Sequence, residues 1–244
     1  MADELSDVEV KTTRVRATRR RRMRPCVVSL SGVDGSGKST LATTLLEEFS
    51  DRGLRATRVW SRPGCGLDLI EPLLARGKRA FASDPRTGSR RMADPQASTP
   101  ATRRGLAGWS WSLVVTIAYL WHARREHARA AGIVVGDRHL LDALVSLDFY
   151  YGRHARTLQA RLVRWFLPRA DLAYYLDANP ALILGRQPES STGPHAVEQQ
   201  LERYGTLLHE HRPRRLDAEA EVEVLADEIA RDVSEHLRAS FTDR

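Results

Sequence analysis

Blocks of apolar and polar residues divide this chain into alternating strands and helices. Pro25-Cys26-Val27-Val28-Ser29-Leu30 is a short, β-branched apolar run, the pattern of a buried parallel strand. A glycine-rich turn follows, then a helical stretch from Lys38 to Asp51 that Gly53 stops. Arg55 to Ser61 reads as a second strand and Leu67 to Leu74 as helical. Residues 82–105 carry Pro, Ser, Thr and Arg with no apolar period, which predicts a mobile insertion. A long helix is expected from Leu106 to Ala131, apolar all round in its first half and charged in its second. An apolar first half of that kind predicts burial at the centre of the domain. Ile133 to Asp137 forms a third strand, with helices following as far as about Leu167. Leu172 to Leu176 is a fourth strand ending at Asp177, and Asn179-Pro180 opens the next helix. A polar stretch from Gln187 to Pro194 leads into a helix from Val197 to His211. The alternation Glu221-Val222-Glu223-Val224-Leu225 predicts a fifth strand, and Asp227 to Leu237 a closing helix. Strands alternating with helices imply an α/β fold: three layers, with a five-stranded parallel sheet and helices on both faces.

Composition bounds this picture without changing it. The chain has 244 residues, 42% of them hydrophobic and 28% charged, which suits a globular domain with ample core. No run reaches the ~18 consecutive apolar residues of a membrane span, so no membrane span is expected. The first 24 residues lack the apolar segment of a secretory leader, and Cys26 and Cys65 form no disulfide or metal spacing. Both features point to a reducing, cytoplasmic setting. His209 and His211 have no further ligand cluster beside them, so a solvated helix end is the expectation there.

The charge sharpens the reading. The formal net charge is +7, the balance of a nucleic-acid binder at first sight. Residues 1–24, however, hold eight basic and four acidic side chains, more than half of the excess. They read as a disordered basic arm, leaving 25–244 as the folded domain. A nucleic-acid partner is therefore not the expectation. Of the 38 basic residues only Lys11, Lys38 and Lys78 are lysines. A lysine retained in so arginine-rich a chain marks a place that needs a compact ammonium.

Lys38 falls within Gly32-Val33-Asp34-Gly35-Ser36-Gly37-Lys38-Ser39, which fits the phosphate-binding loop G-x-x-x-x-G-K-[ST] between a strand and a helix. The glycines, among them Gly32, Gly35 and Gly37, let backbone N–H groups curl into an anion nest. The helix N-terminus adds positive potential. In that motif Lys38 reaches the β- and γ-phosphates of ATP, Ser36 lies within the cradle, Ser39 ligates Mg²⁺ and Thr40 bonds the α-phosphate. Asp34 is a carboxylate inside an anion nest, which calls for a cationic partner, a metal or a substrate donor. Asp137 ends the third strand, where ligands bind open α/β sheets, and is a candidate for ordering Mg²⁺.

With these residues in place the chain resembles the thymidylate kinase group of nucleoside monophosphate kinases. The loop GVDGSGKST carries the resemblance. So do Ser61-Arg62-Pro63-Gly64, Gly136-Asp137-Arg138-His139, the run from Asp177 to Arg186, and Glu202-Arg203-Tyr204. The resemblance implies a P-loop NTPase fold, with the kinase domain over 25–244 and a lid over 186–196. It implies ATP and Mg²⁺ as cofactors and a small-molecule phosphate acceptor. Arg62 and Arg138 would hold the acceptor phosphate, Asp137 would position Mg²⁺, Asp34 would contact the acceptor sugar or the metal, and Arg186 would close over the donor. Members are often dimers, so a homodimer is an expectation resting on the resemblance alone.

The departures matter too. An arginine usual in the helix before the third strand falls near Ile117 or Ala118, and a tyrosine-glutamine pair falls on Ser146-Leu147. The stretch from Gln187 to Val197 has no Lys or Arg, so charge in the transition state must be met by Lys38, Arg62, Arg138, Arg186, or arginines such as Arg153 or Arg156. Three readings stay open at this level: a nucleoside monophosphate kinase, a P-loop kinase for a nucleoside or other phosphorylated metabolite, and a nucleotide-binding regulatory protein.

Overall fold

A computed structural model describes residues 24–61, 63, 106–151, 158–186 and 194–242. Residues 1–23 of the arm, the helix expected at 67–74, the insertion at 82–105, Arg62, Cys65, Lys78, Arg153, Arg156 and residues 187–193 of the lid lie outside them. The elements run β1 (Cys26–Gly32), α1 (Lys38–Asp51), β2 (Ala56–Trp60), α2 (Leu106–Arg129), β3 (Ile133–Asp137) and α3 (Leu140–Tyr151). There follow α4 (Leu158–Phe166), β4 (Leu172–Asp177), α5 (Pro180–Arg186), α6 (Pro194–His211), β5 (Arg214–Asp217) and α7 (Val222–Thr242).

The five strands are all parallel, in the order β2-β3-β1-β4-β5. From β1 the chain crosses to β2 on one side of the sheet, and from β3 it crosses to β4 on the other. The connections therefore diverge between the neighbouring strands β1 and β3, which leaves a crevice beyond their carboxyl ends. In the register of these two strands Leu30 stands opposite Asp137.

Side chains of successive strand residues go to opposite faces. Val28, Leu30, Val135 and Tyr174 meet α1 and α7, whose buried residues recur at helical spacing as Leu41, Leu45 and Phe49, and as Leu225, Ala226, Ile229, Ala230 and Val233. Val27, Val59 and Val134 form the opposite apolar face of the sheet. Beyond that face, Tyr119, Leu144, Leu147 and Val163 tie α2, α3 and α4 together. Each fully buried large apolar side chain contributes roughly 1.5–3 kcal/mol. These contacts, rather than helix propensity, fix the positions of the loops.

Two expectations need correction. The fifth strand is Arg214–Asp217, not 221–225, and residues 222–225 are the first turn of α7. Only Leu216 of the strand is buried, so no apolar pattern reveals it. As an edge strand it presents Arg214 to Asp232 and Glu228 of α7. The Val222–Leu225 alternation arises because Leu225 opens the buried stripe of the helix while Val224 stays 55% exposed. The long helix α2 is also not buried all round. Ile117 and Trp121 face solvent, whereas Ser112 and Thr116 lie inside. Those hydroxyls are satisfied within the helix, by Trp109 O at 2.7 Å and Ser112 O at 2.7 Å, which permits their burial. The aromatics of α2 divide accordingly, Tyr119 in the core and Trp121 on the surface.

Cys26 is buried in β1, as expected, and burial pushes its thiol up to about 11. Among the described residues no helix is long and apolar enough to cross a membrane, and no cluster of three or more His, Cys, Asp or Glu side chains could hold a metal.

Candidate functional site

The loop from Val33 to Gly37 connects β1 to α1. Ser36 N donates to Val33 O at 3.0 Å, turning the chain back on itself. Gly37 caps the helix in the left-handed region, at φ 97, a conformation that favours glycine. A side chain there would also come within 3.4 Å of Arg186 Nη1, because α5 ends with its arginine lying over the loop. Gly32 is needed for closeness: an added Cβ would stand 2.8 Å from Ser36 Oγ and 2.9 Å from the carbonyl of Leu176.

Lys38 is buried at the start of α1. Its Nζ donates to Gly32 O at 2.7 Å and Val33 O at 2.8 Å and lies 3.8 Å from Asp34. Burial lowers the pKa of this ammonium, while Asp142 and Asp34 counter part of that effect. Asp34 has the cationic partner that its position demands: Arg138 reaches it at 2.7 Å. Arg138 stands just past the end of β3 with φ 72, left-handed for a side-chain-bearing residue. Such a conformation costs about 1–3 kcal/mol and persists where the surroundings enforce it, often at functional sites. Here it turns the guanidinium of Arg138 onto the loop.

Asp137 is fully buried. Its Oδ2 accepts the Ser39 hydroxyl at 3.0 Å and also Arg58 Nη2 of β2. Its Oδ1 has no hydrogen-bond partner, and neither does the buried Ser36 Oγ inside the loop. Buried polar atoms are rarely left in this condition, so each points to a group that completes it.

Behind the loop lies a second polar cluster. Tyr204 of α6 has its hydroxyl 2.9 Å from Gly32 O and 2.9 Å from Asp142 Oδ1. One hydroxyl proton cannot serve both acceptors. Burial raises the pKa of the Asp142 carboxyl, against the pull of Lys38, Ser31, Arg138 and Tyr204. An Asp142 that keeps its proton can donate to the Tyr204 oxygen and free the phenolic proton for Gly32 O. Burial likewise raises Tyr204, with Asp142 adding to the effect. Beside this cluster His139 is pressed down to about 3 by burial and by His127, whose ring centroid is 5.8 Å away.

The loop, Arg138 and Arg186 line one cleft of about 580 Å³. Its floor is the loop from Asp34 to Leu41, with Arg138 and Arg186 on the walls and Ala218, Ala220, Val222 and Leu225 at one end. The structure thus brings together Asp34, Gly35, Ser36, Gly37, Lys38, Ser39, Thr40, Arg138 and Arg186, with Asp137 beneath them. Arg62 lies outside the described residues. Ala118 and Leu147 are buried in the helical layer, and Ile117 faces solvent. Sequence reasoning missed Arg58, Asp142 and Tyr204 as members of the site. Arg58 carried one signal, a charge in mid-strand. No protein-family model matches the chain, and no curated protein is significantly similar to it.

Proposed function

We propose that this protein is an ATP-dependent phosphotransferase of the thymidylate-kinase type, acting on a nucleoside monophosphate. The observation that carries the reading is the cleft at the β1/β3 switch point. It sets a G-x-x-x-x-G-K-S loop and two arginines around one cleft of about 580 Å³, with a carboxylate at the end of β3 beneath the loop. The resemblance of these segments to thymidylate kinases supports the class.

The residues fit ATP and Mg²⁺. Ser36 Oγ and Asp137 Oδ1 are buried atoms awaiting partners, and Gly32 and Gly37 keep side chains out of the cradle. Ser39 and Asp137 would hold Mg²⁺, and the loop amides, Lys38 and Arg186 would hold the donor phosphates. Bound Mg²⁺ supplies charge neutralisation at the phosphate oxygens. The chain's own part is alignment. Lys38 must leave two carbonyls for phosphate oxygens, and Arg138 exchanges Asp34 for the acceptor phosphate, where its planar fork suits two oxygens. Asp34, released, then faces the acceptor.

One observation favours a different acceptor. At Ile117, Ala118, Ser146 and Leu147, where the resembling family reads base and sugar, three of four side chains are apolar, and Leu147 is only 2% exposed. A nucleoside or another small phosphorylated metabolite is therefore the second reading.

A coupled ADP-release assay over nucleoside monophosphates, nucleosides and sugar phosphates tests both. Turnover stimulated by a nucleoside monophosphate is the expected result. Stimulation by nucleosides or sugar phosphates alone selects the second reading. Failure to bind any nucleotide overturns both.

A further inference from the structure

Arg58 stands at mid-strand in β2, in register with Val135, and is 31% exposed. Its guanidinium reaches past the strand to the one carboxylate at the end of β3. Nη2 donates to Asp137 Oδ2, the oxygen that also accepts the Ser39 hydroxyl, and Nη1 lies 3.4 Å from Thr43 Oγ1 of α1. The side chain is held on both branches. Asp137 has no contact with solvent, and its second oxygen has no partner.

A guanidinium does not lose its proton in proteins. The Arg58–Asp137 pair is therefore neutral before any ligand arrives. Hard divalent cations are bound by the negative charge of their oxygen ligands. A dication brought to Ser39 and to Oδ1 of Asp137 meets a carboxylate already neutralised, with a fixed positive charge on its other oxygen. The same arginine holds the buried carboxylate in one orientation, so Oδ1 remains the face offered to a ligand.

We propose that Arg58 is a resident cation of the site. It positions Asp137 and keeps the protein's own affinity for divalent metal low, so that metal enters as the counter-ion of a nucleotide rather than ahead of it. This rests on the nucleotide-site reading of the cleft, and the experiment separates the two.

Mn²⁺ binding is followed by electron paramagnetic resonance, with the full chain alone and with ADP. Arg58→Met keeps the stem and removes the charge, and Arg58→Lys keeps the charge without the fork. The methionine variant should bind Mn²⁺ at least tenfold more tightly than the parent protein in both conditions. The lysine variant should stay within threefold of the parent. Adding Asp137→Asn to Arg58→Met should abolish the gain. Unchanged or weaker Mn²⁺ binding in Arg58→Met overturns the proposal, as does a gain that survives Asp137→Asn. If Arg58→Met melts well below the parent protein, Arg58→Gln is held to the same criteria. A fluorescent ADP analogue is titrated in parallel, with EDTA and with Mn²⁺. Its failure to bind refutes the nucleotide-site reading, while the titration with Mn²⁺ alone still judges Arg58.

Discussion

Acid should weaken this fold through its buried histidines, foremost His139, which follows Arg138 at the end of β3. The ring is 2% exposed, accepts no hydrogen bond at Nε2, and is held neutral down to about 3 by burial and by the neighbouring His127. In the unfolded chain the same ring titrates near its ordinary 6.5. The folded pKa lies below the unfolded one, so the unfolded state binds the proton first. Stability from this group is complete above about pH 6.5 and is lost as pH falls toward 3, with a limiting slope of about 1.4 kcal/mol per pH unit. Between pH 7.5 and 5.0 the loss integrates to about 2 kcal/mol.

The perturbation is His139→Phe, which keeps a planar ring and removes the proton site, though it gives up the contact with the Pro168 carbonyl. Urea unfolding at both pH values, read by far-ultraviolet circular dichroism, gives the difference for each protein. The parent protein should lose about 2 kcal/mol more than the variant on acidification. A pH-dependence that differs by less than about 0.5 kcal/mol, well below that linkage value, would refute the argument that His139 is buried neutral.

Lys38→Ala should abolish phosphoryl transfer in a protein that still folds, at a cost of about 1–3 kcal/mol by urea unfolding because Gly32 O and Val33 O lose this donor; full turnover in the variant contradicts the assignment. Gly32→Ala drives a Cβ against Ser36 Oγ and the Leu176 carbonyl, and overpacking of this kind costs roughly 1–3 kcal/mol. A thermal melt should fall by about 2–4 °C per kcal/mol, and an unchanged melt would show that the strands part freely there. Tyr204→Phe removes the hydroxyl shared by Gly32 O and Asp142 and should cost about 1–3 kcal/mol by urea unfolding. Asp142→Asn in that background should recover part of the loss, since an amide tolerates burial better than a carboxyl group; no recovery argues against a strained carboxyl.

The parts of the site that were legible in the sequence are contiguous in the chain. The loop needs only residues 32–39 to match its motif, and Asp137-Arg138 needs only the end of an apolar run. Arg58 is different. Its role depends on β2 lying beside β3, a pairing of strands 79 residues apart at the Arg58–Asp137 contact. Tyr204 meets Gly32 across 172 residues, and no local pattern encodes that meeting. The fifth strand was misplaced for a related reason. Arg214-Arg215-Leu216-Asp217 is held at the sheet edge by β4 and by the carboxylates of α7, so its strand character is imposed by neighbours. Glu221 to Leu225 has the better strand pattern, but the apolar stripe of α7 takes it into a helix.

The preference for arginine also sets how long this cleft keeps its charge. Guanidinium groups are not deprotonated in proteins. Lys38 is the exception, an ammonium whose burial favours the neutral form. If the cleft takes phosphate as proposed, its attraction for that anion fades through this one amine as the solution becomes alkaline. Under the proposed function, the alkaline limit of ligand binding is set by the burial of Lys38 against the opposing pull of Asp142 and Asp34.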